Sequence, residues 1–153
     1  MKAIESTPID VLLVEDSAGD VRLTAEAFRE ANGAIRLHVA TDGIEALAFL
    51  RREGLHRAAR PDIILLDLNM PKMDGHELLA LLKADESLQL IPTVIWTTSG
   101  DQEDIRKSYR LHANCFLTKP AQLERFERLV KRIKEFWLTV ASLPASATRP
   151  HIQ

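Results

Sequence analysis

Short apolar runs alternate along the chain with longer segments in which apolar residues recur every three or four positions. Val11-Leu12-Leu13-Val14, Ile63-Ile64-Leu65-Leu66, Val94-Ile95-Trp96 and Cys115-Phe116-Leu117-Thr118 read as strands, and residues 35–40 alternate apolar and polar as a half-exposed edge strand does. The segments between them predict helices: Val21, Ala25 and Phe28 share one face before Asn32-Gly33, and Asp42-Gly43 opens a second helix with Ile44, Leu47 and Leu50 inward, ending near Gly54. The turn Asn69-Met70-Pro71-Lys72-Met73-Asp74-Gly75 leads to a third helix carrying Leu78, Leu81 and Leu82. Ser99-Gly100-Asp101-Gln102 has capping-box spacing ahead of a fourth, with Ile105 and Tyr109 inward. A long fifth helix, from about 122 to 141, lines up Phe126, Val130, Ile133, Trp137 and Val140. Five strands alternating with five helices make an α/β fold with a parallel sheet.

The remaining properties of the chain narrow this picture. Its 153 residues, 46% hydrophobic and 27% charged, suit one domain over 9–143, between an N-terminal extension at 1–8 and a flexible C-terminal tail at 144–153. A net charge of -2 leaves no basic footprint for nucleic acid. No stretch is apolar enough for a signal peptide or membrane span, which points to the cytoplasm. Cys115 sits in an apolar run as a small core residue, and the five histidines lack metal-ligand spacing.

Chemistry enters at the ends of the runs. Glu15 and Asp16 follow the first, Asp67 the third, Thr97 ends the fourth and Lys119 the fifth. If the first and third strands are neighbours, about 5 Å apart, their acids converge, and close carboxylates raise one another's pKa unless a cation intervenes. Hard oxygen ligands leaving room for water and phosphate suit Mg2+ better than zinc. In a flavodoxin-like sheet of order 2-1-3-4-5, the crevice beyond the strand ends lies between the first and third strands. Thr97 and Lys119 come to its rim. A carboxylate nucleophile beside a metal, with a hydroxyl and an ammonium for phosphoryl oxygens, is phosphoryl-transfer chemistry. Taken singly, each acid could merely solvate a loop.

Four motifs in this order, Val14-Glu15-Asp16, Leu66-Asp67-Leu68-Asn69-Met70-Pro71 with Asp74-Gly75, Thr97-Thr98-Ser99, and Lys119-Pro120, resemble the receiver domains of two-component response regulators. Glu15-Asp16-Ser17 with Asp20, and Phe136-Trp137-Leu138 with Leu143-Pro144, resemble the single-domain regulators that serve bacterial phytochromes. The resemblance implies that Asp67 takes a phosphoryl group from a sensor histidine kinase, a bacteriophytochrome being one candidate. It implies that Asp16, Asp67 and the Asn69 carbonyl hold Mg2+ with Glu15 acting through water, that Lys119 pairs with the phosphoryl group, and that Thr97 moves to bond one of its oxygens. Phe116 stands where many relatives carry a switch tyrosine. The same likeness, and the need for Lys119 to turn back toward Asp67, suggest a cis Lys119–Pro120 bond. A helix of about 20 residues, near 30 Å long, overhangs strands of about 17 to 20 Å. An apolar patch of Phe136, Trp137, Leu138 and Val140 then suits a homodimer through this helix, the fourth helix and the fifth strand.

Three rivals share parts of the pattern. A haloacid-dehalogenase-type phosphatase needs an acid two residues after its nucleophile, where this chain has Asn69, whose amide cannot supply a proton. A flavodoxin-like cofactor binder needs a glycine-rich cradle where this chain is acidic. An interaction domain that is never phosphorylated would fail to bind magnesium.

Overall fold

The computed structural model describes residues 8–29, 35–51 and 60–144. The expected helix closure at Asn32-Gly33, the helix end near Gly54, the extension before Pro8 and the tail after Pro144 lie outside them. The chain runs β1 (Ile9–Val14), α1 (Ala18–Arg29), β2 (Ile35–Ala40), α2 (Gly43–Arg51), β3 (Ile63–Leu66), α3 (Gly75–Ala84), a 3-10 turn (Leu88–Leu90), β4 (Thr93–Thr97), α4 (Gln102–Arg110), β5 (Cys115–Thr118) and α5 (Leu123–Glu135), which passes into a π-type turn (Phe136–Val140). All strand pairs are parallel, in the order β2-β1-β3-β4-β5 that the sequence predicts.

Side chains alternate across a strand, so each apolar run feeds two cores. Leu12, Val14, Ile64, Leu66 and Ile95 meet Ala46, Leu47 and Leu50 of α2 and Leu78, Leu79 and Leu82 of α3. On the other face Val11, Leu13, Ile63, Leu65, Val94 and Trp96 meet Ala27 and Phe28 of α1 and Phe126, Val130 and Ile133 of α5. β3 is buried throughout, as a central strand with helices on both faces must be, while β2 at the edge is only part-covered. Trp96 is fully enclosed, its ring 5.1 Å from that of Phe126 at 60°, and its indole N–H meets no acceptor among the described residues.

Several helix faces are rotated from the predicted ones. Ile44, Leu81 and Tyr109 are 53%, 43% and 50% exposed, and α1 buries Thr24, Ala27 and Phe28 more deeply than Val21 and Ala25. The N-cap of α4 is Asp101, which accepts from the Glu103 N–H at 3.1 Å, so Ser99 is not the capping residue. At the C-terminal end the π-type turn closes with the Ala141 N–H on the Phe136 carbonyl at 2.7 Å. This wider turn brings Trp137 and Leu138 back against the α1/α5 core, leaving Phe136 and Val140 outside at 47% and 70% exposure.

Candidate functional site

Each strand end that carries chemistry is held by one main-chain bond beyond the strand. The Glu15 N–H donates to the Ala40 carbonyl at 2.9 Å, Asp67 to Val14 at 3.0 Å, and Lys119 to Thr97 at 2.6 Å. The acids of β1 and β3 and the amine of β5 are thus fixed by the same ladder that builds the sheet. The turn after β3 is pinned from below: the Gly75 N–H bonds the Leu68 carbonyl at 3.0 Å, and a Cβ at Gly75 would press on the Asp67 carbonyl and lie 2.7 Å from Leu68 Cα. Only glycine fits there. Lys72 at the tip of the turn takes a left-handed φ of 67°, and Asp74 caps α3 by accepting from the Glu77 N–H at 2.9 Å.

Glu15, Asp16 and Asp67 can each present a carboxylate oxygen within 4.8 Å of the others. Glu15 and Asp67 are buried and Asp16 is exposed, giving the cluster one open side. Both Glu15 oxygens are engaged, Oε1 with the Lys119 ammonium and Oε2 with the Ser17 N–H at 3.2 Å. Asp16, which is exposed, and Asp67, whose nearest cation stands 3.8 Å away, are less tightly held than Glu15. Burial, reinforced by the hydrogen bond and charge of Asp67, outweighs the Lys119 ammonium and pushes the Glu15 carboxyl up to about 7. A hard divalent cation among these oxygens relieves that repulsion, and the all-carboxylate donor set fits such an ion.

The Lys119 side chain is only 3% exposed. Its ammonium bonds Glu15 and Asp20, the latter at 2.9 Å, and stands 3.8 Å from Asp67 Oδ2. Burial disfavours the charged amine, but the bonds to Glu15 and Asp20 and the charges of Asp67 and Glu15 more than offset it, leaving its pKa raised. Lys119–Pro120 is trans, contrary to expectation, for no cis bond occurs among the described residues. The amine reaches the acids without it. Beside it Thr97 is fully buried, its hydroxyl without a hydrogen-bond partner among the described residues. Asn69 is exposed, and its N–H lies 3.5 Å from Asp67 Oδ1. Phe116 stands apart, half-buried against the α2/α3 core.

The loop after β4 is wired to two helices. The Ser99 hydroxyl donates to Asp104 Oδ2 at 2.8 Å, the Ser108 hydroxyl donates to the Asp104 carbonyl at 2.7 Å, and His76 Nε2 bonds Ser108 Oγ at 2.9 Å. The Phe136, Trp137 and Val140 group lies on the turn that ends α5, outside the cluster. Sequence reasoning placed the three acids, Thr97 and Lys119 together but gave Asp20 no chemical role. Its signal was an acid in the first turn of the helix that follows the acidic strand end.

Residues 11–134 match the response regulator receiver domain. The chain is 44% identical to the response regulator Rcp1 of Synechocystis over 144 residues, 93% of this chain and 98% of that protein. The crystal structure of the phosphorylated cyanobacterial phytochrome response regulator RcpA superposes with a TM-score of 0.86 at 46% identity, covering 91% of this chain and 100% of the other. The Mn2+-bound form of Rcp1 gives a TM-score of 0.83 at 44% identity, over 90% and 100%. Carboxylates gathered at the ends of β1 and β3, a buried lysine after β5 and these likenesses agree: the chain belongs to the response regulator receiver family and is related to phytochrome response regulators.

Proposed function

We propose that Asp67 is the phosphoacceptor, taking a phosphoryl group from the phosphohistidine of a sensor histidine kinase, with a bacteriophytochrome as the kinase class favoured by the relatives. The observation that carries this reading is the buried Lys119 ammonium 3.8 Å from the carboxylate of Asp67, at the end of a wholly buried strand. A carboxylate oxygen of Asp67 attacks phosphorus in line as the P–N bond of the donor breaks, the electron pair leaving with the ring nitrogen. The reaction depends on positioning and charge neutralisation more than on proton transfer. Lys119 meets the negative charge brought by the phosphoryl oxygens, and Thr97 supplies a hydroxyl that has no other partner among the described residues. Asp16, Asp67 and the Asn69 carbonyl would hold Mg2+, with Glu15 behind them. The ion supplies charge neutralisation at the phosphoryl oxygens.

The protein acts as a phosphoacceptor that catalyses its own phosphorylation and dephosphorylation and works in the cytoplasm. The receiver unit spans 9–143. The alignment over 98% of Rcp1 supports output through the receiver's own surface or through onward phosphotransfer. Movement of Thr97 on phosphorylation pulls on the loop tied through Ser99 to α4, and Phe116 repacks with it. Its partners are proteins, in keeping with a net charge of -2 and with the absence, among the described residues, of any helix long and apolar enough to cross a membrane. Incubation with acetyl phosphate and Mg2+ should add one phosphoryl mass, and Asp67→Asn should add none; full labelling of that variant would refute the assignment.

A homodimer through the C-terminal end of α5, with α4 and β5, is a second part of this reading. Phe136 and Val140 support it as apolar side chains turned outward, and Trp137 contributes its ring edge against Phe136 at 5.1 Å. Sedimentation at micromolar concentration should show a dimer that beryllofluoride shifts and Phe136→Glu dissociates. A monomer under all these conditions would rule it out.

A further inference from the structure

The ammonium of Lys119 carries three N–H donors. One goes to Glu15 and one to Asp20 Oδ2 at 2.9 Å, and Asp67 at 3.8 Å lies just beyond hydrogen-bond reach of the third. A lysine side chain is a flexible four-carbon stem ending in a point charge, so the direction of its last donor depends on what holds the other two. Glu15 is fixed by its place at the end of β1 and by the Ser17 N–H. Asp20 comes from a different element, the first turn of α1, where its own N–H is held by the Ser17 hydroxyl at 3.3 Å. The two acids grip the amine from the strand and from the helix.

We propose that Asp20 is a positioning residue for phosphoryl binding: it anchors the Lys119 ammonium so that the remaining donor faces the group carried by Asp67. The proposal rests on the reading of Asp67 as phosphoacceptor and adds a residue that acts on it only through Lys119. Asp20 is outside the carboxylate cluster that suits the metal, so its removal separates anion binding from cation binding. The opposite role has its own physical ground, since a fourth carboxylate repels an incoming anion. The two roles predict opposite signs. Asp20 lines an open groove of about 230 Å3 with Leu23, Thr98, Lys119, Pro120 and Phe126. Shortening its side chain therefore enlarges a groove and leaves no sealed void.

Beryllofluoride binding at saturating Mg2+, measured by calorimetry beside Mg2+ binding alone, tests the assignment. Asp20→Ala should weaken beryllofluoride about tenfold, the scale of one charge-assisted hydrogen bond, while Mg2+ affinity changes by less than about threefold. Asp20→Asn should fall between wild type and Ala, and Asp20→Glu should recover part of the loss. In a Lys119→Ala background Asp20→Ala should have no further effect, which a merely structural role would not produce. Unchanged or tighter beryllofluoride binding in Asp20→Ala and Asp20→Asn would overturn the proposal, as would an effect that survives undiminished without Lys119. Failure of the wild-type protein to bind beryllofluoride would instead strike the phosphoacceptor reading itself.

Discussion

Asp10 and Asp62 at the amino ends of the strands face the same difficulty as Glu15, Asp16 and Asp67 at the carboxyl ends, and the two ends resolve it differently. At the amino end, Asp10 receives the Arg36 guanidinium on both oxygens, at 2.9 and 3.1 Å, and His38 at 3.0 Å. The Asp10 N–H donates to Asp62 Oδ2 at 2.8 Å, and the Asp62 N–H returns a bond to the Asp10 carbonyl at 2.7 Å. A planar guanidinium fork matches a carboxylate and closes it. At the carboxyl end one ammonium serves Glu15, Asp20 and Asp67, Asp16 faces solvent, and the neighbouring Thr97 hydroxyl has no partner among the described residues. A closed acid cluster is architecture. One left short of cations and donors suits the metal and the phosphoryl group proposed for it, and what sets that end apart is this deficit rather than the number of acids.

The comparison breaks most visibly if acids at both ends prove interchangeable. Asp67→Asn should abolish phosphoryl labelling by acetyl phosphate completely, read by intact mass, whereas Asp10→Asn should leave labelling within about twofold of wild type. A stability measurement should run the other way. Asp10→Ala leaves Arg36 without its carboxylate and should destabilise by about 1 to 3 kcal/mol in urea unfolding, the cost of losing a charged hydrogen bond at a half-exposed arginine. Glu15→Gln removes a carboxylate that its site holds at an unfavourable charge and should cost less than about 1 kcal/mol.

The pH dependence sharpens the contrast further. With its folded pKa raised from the usual carboxyl value to about 7, Glu15 contributes stability that is fully present below the unfolded pKa. That contribution declines as pH rises through about 7. A bound cation favours the ionised form, so divalent-metal affinity should decrease as pH falls below about 7, by up to about tenfold per unit. Glu15→Gln should flatten that profile, measured by calorimetry in two buffers of different ionisation enthalpy. In Gly75→Ala the added Cβ meets Leu68 Cα at 2.7 Å. Overpacking of this kind costs about 1 to 3 kcal/mol, and the displaced Asp67 backbone should slow labelling severalfold without abolishing it.

The sheet was readable because a short, wholly apolar run such as Ile63-Ile64-Leu65-Leu66 suggests a strand covered on both faces, and the acids sit at run ends whatever the helices do. Helix faces were harder. In α2, Ile44, Ala46, Leu47, Phe49 and Leu50 offer more than one apolar stripe, and the structure buries Ala46, Leu47 and Leu50 while leaving Ile44 outside. The end of α5 was misphased because an i to i+5 turn changes which side chains face inward, and no residue in Phe136-Trp137-Leu138-Thr139-Val140 announces such a turn. Asp20 gained no role because its partner is 99 residues away in sequence, and a contact of that separation exists only once α1 and β5 have been placed.

The enclosed indole of Trp96 gives the protein a built-in optical gauge. The chain has two tryptophans. Trp137 lies half-buried on the C-terminal turn, whereas Trp96 sits in an apolar core with its N–H unbonded among the described residues and its main chain leading straight into Thr97. Emission from such a ring is set by the apolar side chains around it and by the local electric field, so its colour and quenching should register charge arriving beside Asp67 without any attached dye. Replacing Trp137 by phenylalanine leaves a single tryptophan, one residue from the Thr97 hydroxyl proposed to bond the phosphoryl group, and the activation of the receiver becomes something that can be followed in real time by its own light.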